Sequence, residues 1–263
     1  MINQLNKDYT GHKVFVQLIE YANFYKALSE SVMNWVSQGT RSIFNLDTYV
    51  YSSMQGTLES IHDILLKGRI NDSYSLLRKF YDSTIINVYS NLYLEDHFNL
   101  DNFVVTQIDN WRKGIAKLPE YRIMSQYIKS SSKLKEVTNL LLQDQTYKDI
   151  RERCNDHTHY NYYHNLMLND NQIYSSERIK ALTNFSSDLE NIIIQHLAYI
   201  FTLHDHYMMS CDYTDSLEFG TIPEEDSQYW VASFIQDIFD NLIKVKRPDV
   251  ATEIKSKTLM KLT

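Results

Sequence analysis

The sequence predicts an all-α fold: an antiparallel helical bundle with additional middle and C-terminal helices. Two observations carry this expectation. Six Gly and three Pro in 263 residues are too few for the corners of a β-sandwich or the loops of a doubly wound sheet. Apolar residues also recur every three or four positions over long stretches, the period of one helix face.

The elements follow in order. Over residues 12–38, Val14, Phe15, Leu18, Ala22, Tyr25, Leu28, Val32 and Trp35 form one apolar stripe, and Gly39 suits the left-handed residue that ends a helix. A second helix is expected from about Asp47 to Lys67, closed by Gly68. Asn71 or Asp72 can cap a third, which runs through Tyr74, Leu77, Phe80, Tyr81, Ile85 and Leu92. Short connections between such helices imply antiparallel neighbours. The middle is more broken. Asn99 or Asp101 opens a helix ending near Gly114, Pro119 precedes another, and Leu134, Val137 and Leu141 mark a third.

Residues 145–154 read as a helix that leads into a polar stretch, 155–174, without helical periodicity. That stretch is expected to be a loop, and connections of that length are often functional. Ser176 opens another long helix that could reach Met209. Residues 211–220 read as a polar connection. Thr221-Ile-Pro-Glu224 matches a capping box for a final long helix, and Pro248 separates that helix from a short amphipathic tail. No repeat or linker divides the chain, so one helical domain over residues 1–263 is expected.

The net charge of −7 argues against broad non-specific duplex binding, which needs a basic face. A small local anion site remains compatible with it. Two distant cysteines, Cys154 and Cys211, read as reduced thiols. No apolar signal core and no membrane-spanning run is visible, so a cytoplasmic protein is expected. Phosphate-binding glycine loops, a serine-nucleophile elbow and a dinucleotide fingerprint are missing. The twenty tyrosines read as compositional bias.

Chemistry concentrates in Arg151-Glu-Arg-Cys-Asn-Asp-His-Thr-His-Tyr-Asn161. Cleaving RNA without a metal needs a base for the 2′-OH, a cation for the phosphorane-like transition state and an acid for the leaving oxygen. Histidine supplies the proton work near neutral pH, and arginine a forked phosphate contact. Arg153 with His159, or Arg151 with His157, offers that pair, each with five residues between. Asn155 and Asp156 are placed to orient an imidazole or to help bind ribose and phosphate. With nine Arg and nine His in the chain, chance gives about one such spacing, so context carries the weight.

Two other readings stand beside this one. In the first, the arginines form a salt-bridged helix face with Asp149, Glu152 and Asp156, and the histidines hold the loop. In the second, His157, His159 and His164 with Asp156, or His204 and His206 with Asp205, bind a metal, although no familiar zinc or di-iron spacing is present. Arg78 and Asp82, one helical turn apart, are expected to pair. His62-Asp63 reads as packing rather than as a metal phosphohydrolase signature.

An Arg-x₄₋₆-His spacing near a helix boundary in a helical chain resembles the HEPN superfamily, in particular its stand-alone bacterial and abortive-infection-like members. Residues 60–82, with a glycine turn followed by Leu-Leu-Arg-x-x-x-Asp, are similar to the helix pair of those proteins. Cys154-Asn-Asp-His-Thr-His-Tyr-Asn161 is similar to their Asn-then-His segment. The resemblance covers approximately residues 45–210, leaving 221–263 as a C-terminal helical extension. It implies a metal-independent endoribonuclease of a bacterial defence or toxin-type system, without cofactor or metal. A homodimer would build the site, and a regulatory protein partner is compatible. Arg153 would hold phosphate and His159 would move the proton, with Arg151 and His157 as the alternate register. Asn155, Asp156, Tyr160 and Asn161 would contact RNA. In that family a polar residue, often Asn, follows the Arg; here Cys154 follows Arg153 and Glu152 follows Arg151. Many members bind RNA or protein without catalysis, which is the runner-up reading.

Overall fold

The computed structural model describes residues 5–33, 46–99, 103–170 and 177–263. The protein is all-α; the described residues hold helices and one isolated antiparallel bridge, Met209 to Val231. After a single turn at Lys7–Thr10, the helices are α1 (Val14–Met33), α2 (Leu46–Leu66), α3 (Ile70–His97), α4 (Thr106–Arg112), α5 (Tyr121–Ser130) and α6 (Lys135–Leu141). They continue as α7 (Thr146–Thr158), α8 (Tyr163–Met167), α9 (Glu177–Leu203), α10 (Asp212–Glu218), α11 (Ser233–Ile238) and α12 (Pro248–Lys257). A π-turn at Phe239–Ile243 extends α11. The expected Gly39 cap, the Asp101 start and the Ser176 start lie outside the described residues.

Two compact units share the chain. The first takes residues 1–29, 47–84 and 144–193. Its core is aromatic: Tyr25 meets Phe80 edge-on at 5.8 Å and lies 6.2 Å from Tyr51, while Tyr74 meets Phe185 at 4.9 Å. The Tyr9 hydroxyl donates to the Leu65 carbonyl at 2.8 Å, which satisfies one of the last carbonyls of α2. Gly68 takes the left-handed conformation (φ 76°), and the Arg69 amide reaches back to the Ile64 carbonyl. That closure turns the chain directly into α3.

The second unit takes residues 30–46, 85–143 and 194–263. Leu94, Val105 and Ile108 form one of its apolar clusters, with Trp111 and Leu118 against it. Buried His196 pairs through Nε2 with the Asn87 Oδ1 at 2.8 Å, and α12 is tied to α6 by Arg247 donating to the Leu140 carbonyl at 2.8 Å.

Several boundaries differ from the sequence expectation: α3 opens at Ile70, so Asn71 and Asp72 lie inside its first turn instead of capping it, and α9 ends at Leu203 rather than reaching Met209. The helix over 145–154 runs on to Thr158, so Asn155, Asp156 and His157 are helical, and the expected loop 155–174 contains α8. Burial of Cys154 and His157 on the inner face outweighs the weak helix propensity of Asn and Asp. The polar connection 211–220 contains α10. The capping box does not form: the Thr221 amide and hydroxyl go back to the Ser216 carbonyl, closing α10 beyond Gly220 (φ 67°), and the next α-helix starts only at Ser233.

Candidate functional site

The candidate segment lies wholly in the first unit, on α7 and the turn after it, against the first half of α3 and the start of α9. Residues 60–82 and 154–161 are in contact there. Arg69, just before α3, and Asn71, Asp72, Ser75, Arg78 and Asp82 along it form a row of polar side chains that bond to α7 and to Asn169 after α8. Steps of three and four residues put Asn71, Ser75, Arg78 and Asp82 on one face.

Both arginines of the segment have carboxylate partners. Arg153 forks onto Asp188 of α9, with Nε 2.7 Å and one terminal nitrogen 3.3 Å from the two carboxylate oxygens. Asp188 is buried and also accepts from the Tyr74 hydroxyl at 3.4 Å. Burial pushes the Asp188 carboxyl up and the guanidinium pulls it back only in part. We take the pair as ionised, because arginine stays charged in proteins and the fork uses both oxygens. Arg151 meets Asp82 at 2.7 Å. Asp82 is shared with Arg78, as the one-turn spacing predicts, and Arg78 also donates to Asn155 Oδ1.

His157 is enclosed. Its ring stacks on Tyr74 with centroids 4.0 Å apart and planes 5° from parallel. Nδ1 bonds to Asn71 Oδ1, while the Asn71 amide donates to the Asn165 carbonyl. Since the Asn71 oxygen can only accept, His157 carries its proton on Nδ1. Burial, then the charges of His164 and Arg153, pushes its pKa down to about 4, so the ring is neutral at pH 7. Asn165 closes the circuit by donating to the Asp156 carbonyl at 3.2 Å. Cys154 is buried, and burial raises its thiol to about 12; it is a packing group, not a nucleophile.

The outer half of the segment differs. The Asn161 amide reaches back to the Asp156 carbonyl and the His159 amide to that of Asn155, closing α7 with Tyr160 in the left-handed region (φ 51°), where glycine is usual. His159, Tyr160, Asn161, Tyr162, Tyr163 and His164 are all exposed. Tyr162 and His164 stack at 5.6 Å, and the Asn161 side chain donates to Asp156 at 2.8 Å.

No contact joins Arg153 to His159 within the chain, because Arg153 turns inward to α9 while His159 sits past the last turn. The charge of Arg153 acts instead on His157, four residues on and on the same helix face. The sequence marks Asn71 only as a helix cap and Tyr74 only as part of an apolar stripe, and gives Asp188 and Asn165 no role. Asp188 left a signal, an acid on the apolar stripe between Phe185 and Leu189. Among the described residues no three His, Cys, Asp or Glu side chains gather as a ligand set, and the Asp205 carboxylate accepts from the Leu259 amide. No helix among them is long and apolar enough to cross a membrane. No protein-family model, curated protein or solved structure matches the chain.

Proposed function

We propose that the chain is a helical RNA-binding module that takes single-stranded RNA on the turn ending α7. The observation that supports this is Tyr160. A non-glycine residue in the left-handed conformation costs about 1–2 kcal/mol, yet a tyrosine occupies the position with its ring turned out. Exposed His159, Tyr162 and Tyr163 flank it, and Tyr163 is 77% exposed. Stacking of unpaired bases on such rings contributes about 1–3 kcal/mol per base. The weak phosphate contribution expected of a chain with net charge −7 makes stacking the main term. Anisotropy titration of a labelled single-stranded RNA into the pure protein tests the reading. Tyr162→Ala with Tyr163→Ala should weaken binding by about thirtyfold or more; a protein that binds no RNA at low salt overturns it.

A second reading, the HEPN-like metal-independent endoribonuclease of a defence or toxin-type system, is favoured by one observation. His159 is exposed and the Arg153 side chain keeps 38% of its surface open, so a second copy of the chain can reach both. Cleavage of RNA in EDTA to 2′,3′-cyclic phosphate ends, lost in His159→Ala and accompanied by a homodimer in solution, supports it. Binding without cleavage leaves the binding module.

A further inference from the structure

The second unit contains a cleft of its own. Between α10 and the short turn Ser227–Tyr229, a space of about 370 Å³ is lined by Asp212, Asp215, Glu224, Ser227, Phe219 and Trp230. That volume is in the range of small-molecule sites. Three features define its chemistry. Asp212, Asp215 and Glu224 are exposed acids, and no lysine or arginine pairs with them among the described residues. Residues 181–243 contain no lysine or arginine at all, so the surrounding stretch is one-sidedly negative. Two aromatic side chains flank the acids, and Phe219 is 82% exposed.

The independent observation is Ser227. The residue is only 2% exposed, it lines the cleft, and its hydroxyl has no hydrogen-bond partner. Buried hydroxyls are normally paired, because leaving one unsatisfied costs about 1–3 kcal/mol. The turn that carries it is held in place: Asp226 before it is left-handed (φ 63°) and paired with Lys261. The Tyr229 carbonyl accepts from the Lys261 amide at 2.8 Å, and the Trp230 carbonyl from the Ser210 amide at 2.8 Å. The turn is thus held in place while its serine hydroxyl stays unpaired and the acids beside it lack a cation, Asp215 taking only a weak thiol hydrogen bond from Cys211.

We propose that this cleft binds an organic cation with N–H donors, a guanidinium above all. Carboxylates at several points and a serine oxygen call for a cation with several directed donors. An aromatic wall calls for one whose flat face can stack, and guanidinium has both properties. A quaternary ammonium would satisfy the charge but leave the acceptors unpaired. The group can come from a free small molecule or from an arginine side chain of a basic peptide.

Isothermal titration of the full chain at low ionic strength, with arginine amide, tetramethylammonium and a tri-arginine peptide, tests this. Saturable binding of arginine amide is expected, with tetramethylammonium weaker by about tenfold or more. Asp212→Asn with Asp215→Asn should weaken arginine amide by about tenfold, and Ser227→Ala by about threefold to tenfold. If Ser227→Ala does not fold, the doubly substituted acid variant, altered only at exposed positions, still reads the site. A peptide bound more than about tenfold tighter than the free amide assigns the cation to a protein partner, and equal affinity assigns it to a small molecule. No saturable binding of either guanidinium probe, equal binding of tetramethylammonium, or binding unchanged by the paired acid substitutions overturns the proposal.

Discussion

The inner face of α7 and the cleft beside α10 use charge in opposite ways. Under α7, Arg153, Arg151 and Arg78 meet Asp188 and Asp82, and His157 is stacked and hydrogen-bonded. Beside α10, three acids face solvent without a cation and a buried hydroxyl lacks a partner. A charge satisfied by its own chain contributes to folding and has little left for a ligand. A charge left without a counter-ion contributes nothing to the fold and is available for one. The polar density that marked residues 151–161 in the sequence is therefore mostly internal.

The largest expected effect separates the two regions by stability. Asp188→Ala leaves the Arg153 guanidinium and the Tyr74 hydroxyl without their buried partner, and should cost about 3–5 kcal/mol in urea unfolding. Asp212→Ala in the cleft should change stability by no more than about 0.5 kcal/mol. Equal effects would erase the distinction.

Acid should act next. Burial depresses His157 to about 4 and His196 to about 3, below the unfolded value of 6.5. Above pH 6.5 both rings are neutral in either state and contribute no pH dependence. As pH falls from 6.5, the unfolded chain takes up the protons first, so stability drops until the folded pKa values are reached. At pH 4 each ring should account for about 3 kcal/mol. His157→Gln should flatten its share of that slope in unfolding curves between pH 7 and 4.

Two smaller changes sharpen the contrast within α7 itself. Tyr160→Gly relieves the left-handed strain and should raise stability by up to about 1 kcal/mol while weakening RNA binding, a trade expected of a residue kept for function. Tyr74→Phe removes only the 3.4 Å bond to Asp188 and keeps the stack on His157, so a loss of about 0.5–1 kcal/mol is expected by thermal unfolding.

Much of the helical layout was legible because helix periodicity and glycine caps are local. The stripe from Tyr74 to Leu92 lies in α3, Gly68 ends α2 in the left-handed region, and Pro248 opens α12. The Arg78–Asp82 pair was legible for the same reason, being one turn of one helix. Thr221 misled because a cap signature does not say which helix it serves; its amide and hydroxyl close α10 instead of opening the next helix. The stretch from Asn155 misled because propensity argued for a loop, while Cys154 and His157 were drawn into the core.

By itself, the sequence determined the all-α class, the approximate spans of the long helices, and the place where arginine and histidine gather. Each of those depends on residues within one or two turns of each other. Only the tertiary structure decided what that gathering is for. Asp188 and Asn71 are 35 and 86 residues from the side chains they bind, and no local period links them. Burial by those distant partners turned Arg153 and His157 inward and left His159 and Tyr160 outside, and burial is a property of packed helices, not of any one segment.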